Sequence, residues 1–136
     1  MNTAERAAFK FIKYKITKFS FEEQTSDEKL DLKFDASGRY LKNEATFELS
    51  LKVLVLEADK QIVDATMTLY FQFEKNTALK DFPSYFYRNA IAIGFPFLRS
   101  FVSTLTLQAN CRLLMLPIMN LSNLEPSLIE KTVEIE

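Results

Sequence analysis

Few residues of this 136-residue chain could do covalent or acid-base chemistry. It contains no histidine, which excludes Ser-His-Asp and Cys-His nucleophilic sites and histidine-containing zinc sites. Carboxylates, lysine, tyrosine and the single Cys111 remain. Nothing near Cys111 in sequence would activate its thiol, so we expect a small buried residue, and Asp31 with Asp35 is a weak pattern for a carboxylate pair or metal site. The sequence predicts a protein that is not an enzyme and binds no metal.

The composition also argues against nucleotide and nucleic-acid binding. The two glycines, Gly38 and Gly94, cannot form a Walker loop or a dinucleotide fingerprint, so we expect no cofactor and no ATP-driven step. A net charge of -1 offers no general attraction for nucleic acid. The apolar run at residues 90–98 stops at Arg99, short of the roughly 18 residues that a membrane span needs. With no signal-peptide pattern and no internal disulfide, we expect a cytoplasmic protein without a membrane span.

The elements that position these residues follow from the hydrophobic period. Length and a globular composition, with 48% apolar and 26% charged residues, predict one domain over residues 1–136. Strict alternation predicts an antiparallel meander with one solvated face. Its four strands are expected at residues 9–21, 30–35, 46–56 and 63–73. The phase of the first strand slips twice, which predicts bulges, and Ser37-Gly38-Arg39 is predicted to be a turn.

A helix from Tyr85 to Leu107 is predicted where the period becomes three to four residues. Pro96 beside Gly94 predicts a kink or a break, and Arg99 on the narrow polar stripe needs an acidic or carbonyl partner. The rest of the helix surface is apolar, and one sheet can cover only one side of it. We therefore expect self-association through this helix. The residues assigned to the oligomer interface are Phe95, Phe97, Phe101 and Leu105. An apolar loop follows, and Ser122 with Glu125 is typical of a capping box for a short helix through about Val133.

Several motifs resemble those of SecB, the bacterial export chaperone family, over about residues 9–128. In the strands they are Ser20-Phe21-Glu22, Lys29-Leu30-Asp31-Leu32 and Phe47-Glu48-Leu49-x-Leu51-x-Val53-x-Val55. In the helix and loop they are Asn89-x-Ile91, Phe95-Pro96-Phe97-Leu98-Arg99 and Leu114-x-Leu116-Pro117-Ile118-x-Asn120-Leu121. The resemblance implies an α+β fold, a homotetramer that is a dimer of dimers, and ATP-independent binding of unfolded polypeptides. The expected fold is a four-stranded antiparallel meander with a long kinked helix on one face and a short C-terminal helix.

The predicted client groove combines the loop that matches the family's groove segment with apolar residues of the first strand. Its residues are Phe11, Tyr14, Leu116, Pro117, Ile118, Met119 and Leu121. We expect coupling to the motor SecA to be weak or absent. Lys18 stands where the family often has an acidic residue, and the family's polar tail has no counterpart beyond Glu134-Ile135-Glu136. A chaperone dedicated to one client, such as an antitoxin, and a binder of a small apolar ligand remain alternatives.

Overall fold

The computed structural model describes residues 8–136 and has an α+β architecture. Its strands are β1 (Phe9–Phe21), β2 (Asp31–Leu41), β3 (Thr46–Glu57), β4 (Lys60–Phe73) and β5 (Thr132–Ile135). Its helices are α1 (Phe86–Gln108) and α2 (Glu125–Glu130), with short 3-10 turns at Leu79–Asp81 and Ser122–Leu124. The sheet order is β1-β4-β3-β2-β5, with α1 packed on one face. This confirms the predicted fold class, with one strand more than expected.

The bulges predicted in β1 are confirmed. The pairing of β1 with β4 shifts register between Phe11 and Lys13 and again between Ile16 and Lys18, so Ile12 and Thr17 are the extra residues. The shifts keep six of the seven large apolar residues of β1 opposite the buried face of β4, while Ile12 lies in the first bulge and is 48% exposed. The pairs are Phe9 with Phe73, Phe11 with Phe71, Tyr14 with Leu69, Ile16 with Met67, Phe19 with Ala65 and Phe21 with Val63. Without the two shifts, a period of two would turn Tyr14 and Ile16 away from α1.

The turn predicted at Ser37-Gly38-Arg39 is wrong, because these residues lie inside β2 and pair with Ser50, Leu49 and Glu48. The lack of a side chain at Gly38 allows the Phe47 ring to approach the backbone of β2 closely. A Cβ atom on Gly38 would lie 2.4 Å from Cζ of Phe47, so a glycine makes room for that ring. The turn between β2 and β3 lies at residues 42–45, where Ala45 has a φ of 54°.

The end of the chain also differs from the prediction. Helix α2 stops at Glu130, and β5 follows it and pairs in parallel with Gly38–Leu41 of β2. Ser122 starts a 3-10 turn and makes no capping hydrogen bond, so the predicted capping box is wrong. The β-branched residues at positions 132, 133 and 135 favour a strand, and the edge of β2 provides the partner that local sequence cannot show.

Helix α1 runs without interruption through Gly94 and Pro96, so the break that these residues predict does not occur. Pro96 lies on the exposed side, where water can satisfy the carbonyl group that loses its helical partner. A Cβ atom on Gly94 would lie 3.0 Å from both methyl groups of Leu69, so this glycine lets α1 approach the sheet. By length and composition α1 could cross a membrane, but its inner side forms the core over the sheet.

Candidate functional site

Helix α1 has two flanks that differ in their neighbours. We call the first the β1 flank, where aromatic residues of β1 meet the helix. The Phe97 ring stacks on Phe11 with a centroid distance of 5.8 Å and on Tyr14 at 4.5 Å. Further along, Phe101 meets Phe19 edge-on at 5.4 Å. Stacked and edge-on pairs of this kind stabilise beyond the area they bury, so these rings fix β1 to the helix.

The second side, which we call the loop flank, is where residues 113–121 run back along α1. The Arg99 guanidinium donates through Nε to the Leu116 carbonyl, which confirms the expected acidic or carbonyl partner. Thr106 is buried, and its hydroxyl accepts a hydrogen bond of 3.0 Å from the Leu114 amide. These two contacts hold an irregular segment at a fixed position, and they satisfy backbone groups that burial would otherwise leave unpaired.

The apolar side chains of the loop divide between core and solvent. Leu116 is fully buried and Leu121 is 7% exposed, so both pack inside the chain. Ile118 is 87% exposed, Met119 is 37% exposed and Pro117 also faces solvent. Two further apolar side chains that sequence reasoning did not assign to the groove, Leu113 and Met115, are half exposed. The sequence contained a signal for this exposure. Neighbouring side chains of an extended loop point to opposite sides, so a continuous run of apolar residues cannot bury all of them.

A cleft of about 210 Å³ lies on the loop flank, between α1 and residues 119–122. It is lined by Arg88, Ile91, Ala92, Phe95, Pro96, Met119, Asn120, Leu121 and Ser122. Phe95 is 8% exposed and meets the Phe34 ring of β2 edge-on at 5.8 Å, so it belongs to the floor of the cleft. The other residues assigned to the oligomer interface, Phe97, Phe101 and Leu105, are half-buried along α1.

The structure does not bring the two parts of the predicted client groove together within one chain. Phe11 and Tyr14 lie on the β1 flank, whereas Ile118 and Met119 lie on the loop flank. In the sheet, β4 and β3 separate β1 from β2, and α1 lies over β4 and β3 between the two flanks. The groove therefore has two separate surfaces, and the cleft belongs to the loop flank alone.

A polar cluster that we call the Glu57 clamp ties the start of the loop to the sheet. Glu57 accepts hydrogen bonds from the backbone and hydroxyl groups of both Thr25 and Ser26, at 2.7 to 3.2 Å. The pKa of Glu57 is lowered to about 2, chiefly by the Ser26 hydroxyl; burial opposes this effect, and the other hydrogen bonds from Thr25 and Ser26 add to it. Arg112 in turn donates to the Ser26 carbonyl at 3.1 Å and pairs with Asp27 at 2.7 Å. Sequence reasoning missed this clamp because its members lie far apart in the chain.

Comparison with known proteins gives structural likeness alone. No family model and no curated protein matches the sequence. The Mycobacterium tuberculosis SecB-like chaperone Rv1957, solved in complex with a ChAD peptide from the Rv1956 HigA1 antitoxin, superposes with a TM-score of 0.67. The match covers 85% of this chain and 89% of that one at 15% identity. The fold is that of a SecB-like chaperone. A protein of unknown function from Streptococcus agalactiae aligns with a TM-score of 0.47 and 7% identity, over 82% of this chain and 98% of that one.

Within this SecB-like fold, the groups capable of chemistry are dispersed. Cys111 is partly exposed, which differs from the buried position expected for it, and its thiol keeps a raised pKa because of partial desolvation and the nearby Glu23 carboxylate. Asp35 pairs with Lys131 at the surface. Among residues 8–136, no group of three or more histidine, cysteine, aspartate and glutamate side chains is placed to hold a metal ion. What the loop flank offers a partner is apolar contact beside a preformed cleft.

Proposed function

We propose that this protein is an ATP-independent chaperone that captures non-native polypeptides on the loop flank. The observation that carries the proposal is the row of exposed apolar side chains along residues 113–119, the last of which, Met119, also lines the cleft. They are Leu113, Met115, Ile118 and Met119. A SecB-like neighbour solved with a peptide supports a polypeptide as the partner.

The energetics of the loop flank suit capture of many sequences. Full burial of one such side chain contributes roughly 1.5 to 3 kcal/mol, so a few partial contacts give useful affinity without demanding one client sequence. Met115 and Met119 are flexible and polarisable, which favours contact with irregular surfaces. The backbone that carries them is fixed through Arg99 and stiffened by Pro117, so little ordering entropy is lost on binding.

The clients we assign to this surface are slow-folding chains, including chains destined for export, whose apolar segments stay exposed longest. The second candidate is a chaperone dedicated to one client such as an antitoxin, and the peptide held by the Mycobacterium tuberculosis neighbour favours it. Identification of polypeptides that co-purify with the protein separates the two, because a dedicated chaperone yields one dominant partner. A lipid in place of polypeptides would favour the alternative of a small-ligand binder.

We further propose that the working form is a cytoplasmic homotetramer, a dimer of dimers assembled through α1. Tyr85 and Leu107 are 47% and 64% exposed at the two ends of the helix, and half-buried Phe97, Phe101 and Leu105 lie between them. A second copy covering this side would bury apolar surface that one sheet leaves open. Binding to SecA is expected to be weak or absent.

The test of capture uses suppression of aggregation of a chemically unfolded client. The variant Ile118→Ser/Met119→Ser removes exposed groups, so it should lose on the order of 1 kcal/mol of client binding per side chain while its stability changes little. Ile12→Ser is the matched control, because Ile12 is 48% exposed but lies on β1. Equal suppression by the double variant and wild type would refute the loop flank as the client site.

A further inference from the structure

The strand β5 stands apart from the rest of the sheet. It has four residues, whereas the other strands have 11 to 14, and it forms the parallel pair in an otherwise antiparallel sheet. None of its residues is buried, and Val133 is 52% exposed. Short edge strands with exposed side chains open at low free energy compared with the core.

Apart from the backbone pairing of its four residues with Gly38–Leu41, the contacts that hold β5 are few and peripheral. The Lys42 amide donates to the Ile135 carbonyl at 2.8 Å, and the Thr132 hydroxyl donates to the Leu128 carbonyl at 2.7 Å. Lys42 also pairs with Glu134 at 3.7 Å, with both side chains a third or more exposed. An exposed ion pair at that distance contributes little.

The edge of β2 beneath β5 is a well-formed part of the core. Gly38 and Tyr40 are buried, and Tyr40 donates its hydroxyl proton to the Thr77 carbonyl at 2.7 Å. The space left by the missing side chain of Gly38 is used by Thr132, whose hydroxyl oxygen lies 2.8 Å from where a Cβ atom would be. The β2 edge therefore accommodates an added strand. It keeps its conformation when β5 dissociates, because β3 and the core support it.

We propose that β5 is an intramolecular stand-in for client polypeptide, and that an extended client segment displaces it from the β2 edge. This inference rests on the proposed chaperone function and names the mode of binding: backbone pairing to Gly38–Leu41 in addition to apolar contact at the loop flank. Because β5 serves as the template, the preferred segment carries a small β-branched residue at the place of Thr132. It carries an acidic residue two positions later, facing Lys42, as Glu134 does.

The closing experiment locks β5 in place. Leu41 and Ile135 are register partners, so Leu41→Cys/Ile135→Cys in a Cys111→Ser background can be joined by a disulfide. The probe is a fluorescent peptide that contains Thr-Val-Glu-Ile between Gly-Ser segments. The oxidised protein should bind it at least about tenfold more weakly than the reduced protein, since the binding-competent fraction falls. Equal affinity of the oxidised and reduced forms would overturn the inference.

A second variant opens the edge. Ile135→Pro removes an amide on the side of β5 that faces β2, where the Ile135 carbonyl already accepts from Lys42. It should bind the peptide about threefold to tenfold more tightly than wild type. Glu136→Pro, one residue beyond β5, is the matched control and should bind like wild type. Weaker binding by Ile135→Pro in a protein with wild-type circular dichroism would count against a stand-in role.

Aggregation assays on the same proteins separate this inference from the proposed function. If locking leaves peptide affinity unchanged while wild type suppresses aggregation, the stand-in role is refuted and chaperone activity stands. If wild type suppresses no aggregation but the lock weakens peptide binding, the strand exchange is supported and the chaperone proposal fails.

Discussion

The two flanks of α1 are covered by different kinds of structure, a strand on the β1 flank and an irregular segment on the loop flank. On the β1 flank, rings carried by a strand stack on Phe97 and Phe101, and the strand is fixed by its pairing with β4. On the loop flank, an irregular segment is held by Arg99 and Thr106 through backbone hydrogen bonds. Both flanks cover the helix and both leave apolar side chains partly open, since Tyr14 and Phe19 of β1 are 40% and 53% exposed, but Ile118 of the loop is 87% exposed. The most exposed of these apolar side chains therefore lies on the loop, whose backbone is held by polar contacts, and not on the strand, whose rings stack on the helix.

The largest expected effect comes from a charge on the proposed assembly surface of α1. Leu105 lies one helical turn from Phe101 and is half-buried. Leu105→Glu should dissociate the assembly, because burying an unpaired charge at an interface costs several kcal/mol. Light scattering measures the change, with the exposed Gln108→Glu on the same helix as control. A wild-type protein that scatters as a 15.8 kDa monomer at micromolar concentration would contradict assembly through α1.

Next in size is the cost of truncating the inward side of the loop flank. Leu116→Ala removes a fully buried side chain and should lower the free energy of unfolding by about 2 to 5 kcal/mol. Ile118→Ala, two residues on, should change it by less than about 0.5 kcal/mol. Denaturant unfolding followed by circular dichroism measures both. Similar losses at the two positions would mean that the loop packs as a single cluster with no outward side.

A substitution on the β1 flank should lower the free energy of unfolding by a smaller amount and should leave client capture unchanged. Phe97→Leu removes two stacked ring pairs while keeping an apolar side chain, so we expect a loss of about 1 to 2 kcal/mol. Suppression of client aggregation should stay at the wild-type level if the loop flank is the client site. A variant that remains folded and assembled but fails in capture would place the client on the β1 flank.

The smallest effect is a pH dependence of the Glu57 clamp, which ties the start of the loop to the sheet. The folded-state pKa of Glu57, about 2, lies below its ordinary value of 4.5, so its contribution to stability is complete above that value. It is lost as the pH falls from 4.5 toward 2, because the unfolded state then binds the proton first. Glu57→Gln should lower Tm at neutral pH, and the difference from wild type should shrink over that range. A constant difference in Tm down to pH 2 would show that the stability contributed by Glu57 does not depend on the ionisation of its carboxyl group.

The periodicity of apolar residues along the chain allowed much of the fold to be predicted from the sequence. The phase slips of β1 predicted its bulges, since an extra residue in a strand is visible wherever apolar residues change parity. The change from a period of two to one of three or four located α1 to within one residue at each end. The same sequence misplaced Gly38 in a turn, because a glycine needed for a close approach looks the same as one needed for a turn.

By itself, then, the sequence determined the strand pattern, the long apolar helix and the lack of histidine chemistry, all of which depend on residue type and near neighbours. The tertiary structure decided which loop residues face the core, since Leu116 and Ile118 are equally apolar and differ only in what lies beneath them. It also decided that residues 132–135 form β5 and that Glu57 reaches Thr25 and Ser26. These contacts join residues 31 or more positions apart, and their free energy depends on partners that no local pattern specifies.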